Sequence, residues 1–168
     1  AGLDVDEVFS TSLTIGDGVS GPTVVNGIDT SSEGGLIWTK NRSTAADHFL
    51  FDTERGGTYH LSTNTADAQA TGPSVTFNSD GFSSANFFSS GAEYAWWTFR
   101  KAPKFFDVVT YTGNGVAGRT VSHNLGSVPG MIIVKSTSNA ESWYVYHRGV
   151  DATAPEDYFL ELEKTAAR

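Results

Sequence analysis

A sequence that matches itself at a nearly constant spacing is constrained to build one kind of unit more than once. Here Phe9, five residues, then Ile15-Gly16-Asp17-Gly18 aligns with Phe106, five residues, then Thr112-Gly113-Asn114-Gly115, a shift of 97 positions. Gly35-Leu-Ile-Trp-Thr-Lys40 aligns with Gly130-Met-Ile-Ile-Val-Lys135 at a shift of 95, and Arg55-Gly56 with Arg148-Gly149 at 93. The drift of two residues at each step falls in loops, where length changes are tolerated. Two homologous units in tandem are expected, residues 1–104 and 105–168, joined near Lys101-Ala102-Pro103-Lys104. The second is incomplete. The first continues through Ser74-Val-Thr-Phe77, Ser79-Asp80-Gly81-Phe82 and Tyr94-Ala-Trp-Trp-Thr-Phe-Arg100, while the second stops near the position that matches Ala68. A longer native protein is the expectation, with completion of the second sheet by a neighbour as the alternative.

Short apolar runs lie between turn residues throughout. They are Val8-Phe9, Thr23–Val25, Gly35–Lys40, His48–Glu54, Ser74–Phe77, Tyr94–Arg100, Phe105–Thr112, Arg119–Ser122, Met131–Lys135, Trp143–Arg148 and Tyr158–Leu162. Gly16-Asp17-Gly18, Gly34-Gly35, Asp80-Gly81 and Gly113-Asn114-Gly115 supply the positive-φ positions of tight connections. The pattern predicts an all-β fold, an antiparallel β-sandwich of lectin or jelly-roll type. Only Ala152 to Ala167 could hold a helical stretch, and the alternation in Tyr158–Glu163 favours a strand there.

The chemistry open to the chain is narrow. Without cysteine there is no disulfide, thiolate metal site or thiol nucleophile. A net charge of −8 argues against binding nucleic acid, which needs a basic stripe. The charge is uneven: residues 1–100 hold 12 acids and 4 bases, residues 101–168 seven of each. A solvated acidic surface is the expectation for the first part. No apolar run approaches the roughly 20 residues of a membrane span, so no membrane insertion is expected, and Ala1–Asp6 has no signal-peptide pattern. No nucleophile elbow or phosphate loop occurs, so no cofactor and no enzymatic activity are expected.

Candidate sites follow from alternation. Trp38 becomes Ile133 in the second unit, so the position wants bulk and is expected in the core, while Lys40 and Lys135 read as edge lysines that blunt association. Asp52 and Glu54, two apart on one strand, would share a face, the arrangement of a glycosidase acid pair. Arg55 follows directly, and the second unit puts Val145 and His147 in their places. A salt bridge or oxygen cation site is therefore favoured over catalysis, with the metal question left open. His48, His60, His123 and His147 show no ligand spacing. His123-Asn124-Leu125-Gly126 suits a turn in which the ring bonds nearby backbone. Trp96 and Trp97 must point to opposite faces, and the outward one is the best single candidate for contact with a ligand or partner. Trp143, His123 and His147 complete that set.

Gly34–Lys40, His48–Gly56, Ser79–Phe82, Trp97–Asp107, Tyr111–Gly115 and Ser122–Lys135 together resemble a tandem β-rich domain of unknown function. It is met in tail-fibre-like and other virion proteins of marine and cyanobacterial bacteriophages, often beside concanavalin-like lectin domains. The resemblance implies a virion location, homo-oligomers, other virion proteins as partners and contact with host surface polysaccharide; it brings no catalytic residues. The expected function is that of a tail-fibre or adhesion module. The alternatives are a capsid decoration or other purely structural virion protein and, more remotely, a glycan hydrolase using Asp52 and Glu54.

Overall fold

Strand alternation decides which side of each run becomes dry, and Gly35–Asn41 shows it: Gly35, Ile37 and Thr39 are buried, while Leu36, Trp38 and Lys40 are half-buried. The computed structural model describes residues 2–87 and 89–165. Its strands are β1 (Phe9–Ile15), β2 (Thr23–Val25), β3 (Gly35–Asn41), β4 (His48–Asp52), β5 (Tyr59–Ser62), β6 (Ala70–Thr71), β7 (Ser74–Asn78), β8 (Gly81–Ala85), β9 (Glu93–Arg100), β10 (Met131–Val134), β11 (Tyr144–His147) and β12 (Leu160–Glu161). The pairing is antiparallel throughout. A six-stranded sheet runs β1-β9-β3-β4-β5-β6, a three-stranded sheet runs β2-β8-β7, and a third sheet runs β10-β11-β12.

The first two sheets form the sandwich. Ile37, Phe51, Tyr94 and Trp96 from one meet Val24, Val75 and Phe82 from the other, with Phe87 and Ala92 filling the end. Rings carry much of this core: Trp96 lies 4.9 Å from Phe82, and Phe87 stands edge-on to Trp96 and Tyr94. Two threonines share the dry side because their hydroxyls are satisfied. Thr39 donates to the Ala95 carbonyl at 3.1 Å, and Thr98 accepts from Asn26 at 3.0 Å. Gly81 opens β8 at φ 150°, under the Val24 carbonyl, where a Cβ would collide with backbone.

The third sheet is registered in the same way as β3-β4-β5. Leu36 opposite Asp52 and Lys40 opposite His48 set one register, Met131 opposite His147 and Val134 opposite Tyr144 the other, both strands shifted by 95. The Thr53 amide donates to the Gly35 carbonyl, as the Arg148 amide does to Gly130. Leu50 pairs with Leu61, as Val145 does with Leu160. This ladder places His147, not Val145, at the position of Asp52. After it the two turns differ in length, one closing four residues on at Gly56 and the other three residues on at Val150.

Several expected strands do not form. Phe105–Thr112 and Arg119–Ser122 have the alternation but no partner strand among the described residues, so they run as irregular chain. They are held by one bridge between Ala102 and Phe106, stacking of Phe105 and Phe106 on Phe99, and the Asp107 carboxylate, which accepts from the Asn124 amide at 2.6 Å. Tyr158–Leu162 keeps only β12, after a 3₁₀ turn over Pro155–Asp157. The end of the alternative helical stretch, Ala166 and Ala167, lies outside the described residues. Lys40 and Lys135 are loop clamps rather than edge guards. Lys40 Nζ donates to the Ala46 carbonyl at 2.8 Å, and Lys135 Nζ to Ser136 and Ala66 carbonyls at 2.9 and 3.0 Å.

Trp143 docks the third sheet on the sandwich. It is 3% exposed, and its Nε1–H lies 3.1 Å from the Ser62 carbonyl and 3.0 Å from that of Thr65. The Gln69 amide adds a bond to Thr137. Trp143→Ala removes this anchor, at a cost of about 3–5 kcal/mol to docking. Hydrogen exchange in β10 and β11 should then rise at least about tenfold with the sandwich unaffected; unchanged exchange there would refute the anchor.

Candidate contact surface

Facing residues of an antiparallel sheet lie on the same side. Across the outer side of the six-stranded sheet this gives a row of Thr11, Trp97, Trp38 and Leu50, closed at its end by the buried Leu61 and flanked by Leu13, Ala95 and Lys40 on one side and Phe9, Phe99 and Leu36 on the other. The Trp38 and Trp97 rings lie 5.9 Å apart at 58°, and both are half-buried. Trp38 is held by its Nε1–H, which donates to Thr63 Oγ1 at 3.1 Å. On the neighbouring edge strand Leu13 and Ile15 are 68% and 67% exposed. The result is an aromatic platform on a rigid sheet, open to a ring-shaped or apolar ligand.

This corrects the expectation for Trp38. The dry side of β3 is the side of Ile37 and Thr39, and Trp38 stands outside. Of the tryptophan pair, Trp96 is fully buried, with its indole N–H donating to Thr14 Oγ1 at 2.8 Å, and Trp97 is the outward one. Trp143 is buried within the chain by its carbonyl contacts, so it is an internal anchor and no free contact residue. Thr63 and Leu13, which complete the platform, were illegible without the register. Neither residue type carries a signal of its own.

The carboxylates do not share a face. Asp52 ends β4, whereas Glu54 lies in the turn after it, where strand alternation no longer applies. Asp52 Oδ2 sits 2.6 Å from Arg55 Nε, both side chains nearly buried, and Arg55 also donates to the Leu50 carbonyl at 3.2 Å. Glu54 instead meets Lys101 at 2.7 Å, and Lys101 lies 3.3 Å from Asp107. The hydrogen bond to Glu54 pushes the Lys101 ammonium above its ordinary pKa. The two acids are thus held by different cations. Among the described residues no three His, Asp or Glu side chains converge as metal ligands.

His123 and His147 both act on the backbone. Their Nδ1 atoms accept from the amides of Leu125 at 3.2 Å and Gly149 at 3.1 Å, closing turns in exposed positions well separated in sequence. His60 is buried against Phe49, and burial holds it below the ordinary histidine pKa. A second apolar surface lies on the third sheet. There Ile132, Val134, Tyr144 and Tyr146, with Phe159 beside them, line a groove of about 320 Å³.

Comparison with curated proteins and with solved structures returns no match. The family model described as "Domain of unknown function (DUF7483)" matches residues 4–168, taking in the sandwich, the connection after it and the third sheet. The chain therefore belongs to that family.

Proposed function

We propose that the chain is a bacteriophage virion structural protein, a tail-fibre or adhesion module that contacts host surface glycans or neighbouring subunits. The phage assignment draws its support from the resemblance of Trp97–Asp107 and Ser122–Lys135 to virion proteins. The contact role rests on one observation, the Trp38 and Trp97 platform presented on the outer face of a six-stranded sheet. A pyranose offers an apolar face of C–H groups that stacks on an indole, and two tilted indoles side by side match two faces of a branched or curved glycan.

The test uses polysaccharide purified from the surface of the host bacterium, titrated calorimetrically against the full chain. Binding is expected, and Trp97→Ala should weaken it about tenfold, or ~1.4 kcal/mol, with an unchanged melting temperature. Binding that ignores Trp97→Ala would remove the platform from the reading. Antibodies against the chain should decorate tail fibres of the particle; labelling of the capsid lattice would point to the decoration alternative, and release of reducing sugar to the hydrolase.

A further inference from the structure

The edge of the third sheet is built differently from an edge meant to face water. Natural edge strands are usually guarded by lysine, proline, a bulge or a covering loop. β10 is Met131-Ile132-Ile133-Val134, uncharged, with all four side chains 41–56% exposed. Among the described residues its only strand neighbour is β11.

Which backbone groups face that edge follows from the ladder. The Arg148 amide donates to the Gly130 carbonyl, so Gly130 and Arg148 form a hydrogen-bonded pair. Such pairs alternate along an antiparallel ladder. Gly130, Ile132 and Val134 therefore turn their N–H and C=O toward β11, and Met131 and Ile133 turn theirs to the open side. The equivalent positions of β3, shifted by 95, are Leu36 and Trp38. These face β9, with the Lys101 amide bonding the Gly34 carbonyl two residues earlier in the same phase. In the sandwich this side of the strand is filled by an antiparallel neighbour.

We infer that β10 pairs with β10 of a second copy of this chain, antiparallel across a two-fold axis at Ile132. Met131 of each copy then lies opposite Ile133 of the other, and the outward N–H and C=O groups close four hydrogen bonds. The joined sheet has six strands, as the large sheet of the sandwich does. Charge favours a second copy meeting at this end. Residues 101–168 carry seven acids and seven bases, whereas residues 1–100 carry a net −8, which repels another copy. A strand paired with itself about a two-fold axis needs no second sequence, only a register that closes on itself. This contact is separate from the tryptophan platform and stands or falls without it.

Sedimentation equilibrium of the full chain over a range of micromolar concentrations tests it. The expected mass is twice the 18.0 kDa of one chain. Ile133→Pro removes an amide that faces the open side and leaves the β10–β11 ladder its bonds. It should weaken association at least about tenfold while hydrogen exchange in β11 stays as in the native chain. Trp97→Ala should leave the dimer intact, so loss of glycan binding and loss of association read separately. A monomer at every concentration overturns the inference, as does a dimer indifferent to Ile133→Pro. So does a monomer that binds a peptide of residues 93–101, which would give the edge to a donated strand instead.

Discussion

Trp96→Ala is expected to cost the sandwich about 3–5 kcal/mol, the range for removing a large buried aromatic. Against a total stability of roughly 5–15 kcal/mol for a domain, that is a large fraction of what holds the sandwich folded. The size follows from position. Trp96 is fully buried at the centre of the core, between Phe82 at 4.9 Å and Phe87 at 5.1 Å, with Tyr94 at 6.0 Å. These neighbours stand on separate strands and a loop, so they cannot all move in to fill the void. Trp96→Phe keeps most ring contacts and gives up only the bond to Thr14 Oγ1, which lies on the half-buried side of the edge strand β1. It should cost much less. Urea unfolding followed by circular dichroism measures both variants, and a loss of under about 1 kcal/mol for Trp96→Ala would mean that the core closes over the gap.

The second large effect lies at Asp52. Asp52→Ala leaves the Arg55 guanidinium buried with only the Leu50 and Tyr59 carbonyls to receive it, an uncompensated charge worth about 3–5 kcal/mol of destabilisation. The pair itself contributes less than that figure. Asp52→Leu combined with Arg55→Met puts apolar groups in both places and should recover most of the loss, giving strong non-additivity in a double-mutant cycle. If the double variant is as unstable as Asp52→Ala alone, the damage comes from the turn that Asp52 caps through the Arg55 amide, and not from the stranded charge.

How much of this was legible depends on what each segment needs from elsewhere in the chain. β3 and β9 were readable because their alternation is long and their turns are glycine-marked. Their dry sides were harder. Thr39 and Thr98 look like solvent-facing residues, yet they are buried because Ala95 and Asn26 supply partners that no local pattern announces. β5 and β8 escaped notice because His60, Ser62 and the serines of Gly81–Ala85 dilute the apolar pattern, and their neighbours make them strands. Phe105–Thr112 failed the other way. It has strand character but no partner strand among the described residues, and propensity alone does not make a ladder. The candidate residues divided similarly: that one of Trp96 and Trp97 faces outward follows from alternation alone, whereas which one does depends on the side of β9 that meets Phe82. Alternation could not place Trp143 inside, because its two carbonyl partners come from the end of β5 and the loop after it, some 80 positions earlier.

The pairing of β1 with β9 sets a schedule for synthesis. Phe9 waits for Phe99 and Ile15 for Glu93, so the large sheet cannot close until nearly the whole of the first hundred residues has left the ribosome. Until then β1 has no neighbour and its apolar residues are exposed to association with other chains. β10, β11 and β12 are consecutive in sequence and meet across short spans, so they can assemble as they emerge. The large sheet therefore waits for β9 to enter between β1 and β3, and β9 leaves the ribosome before any strand of the third sheet.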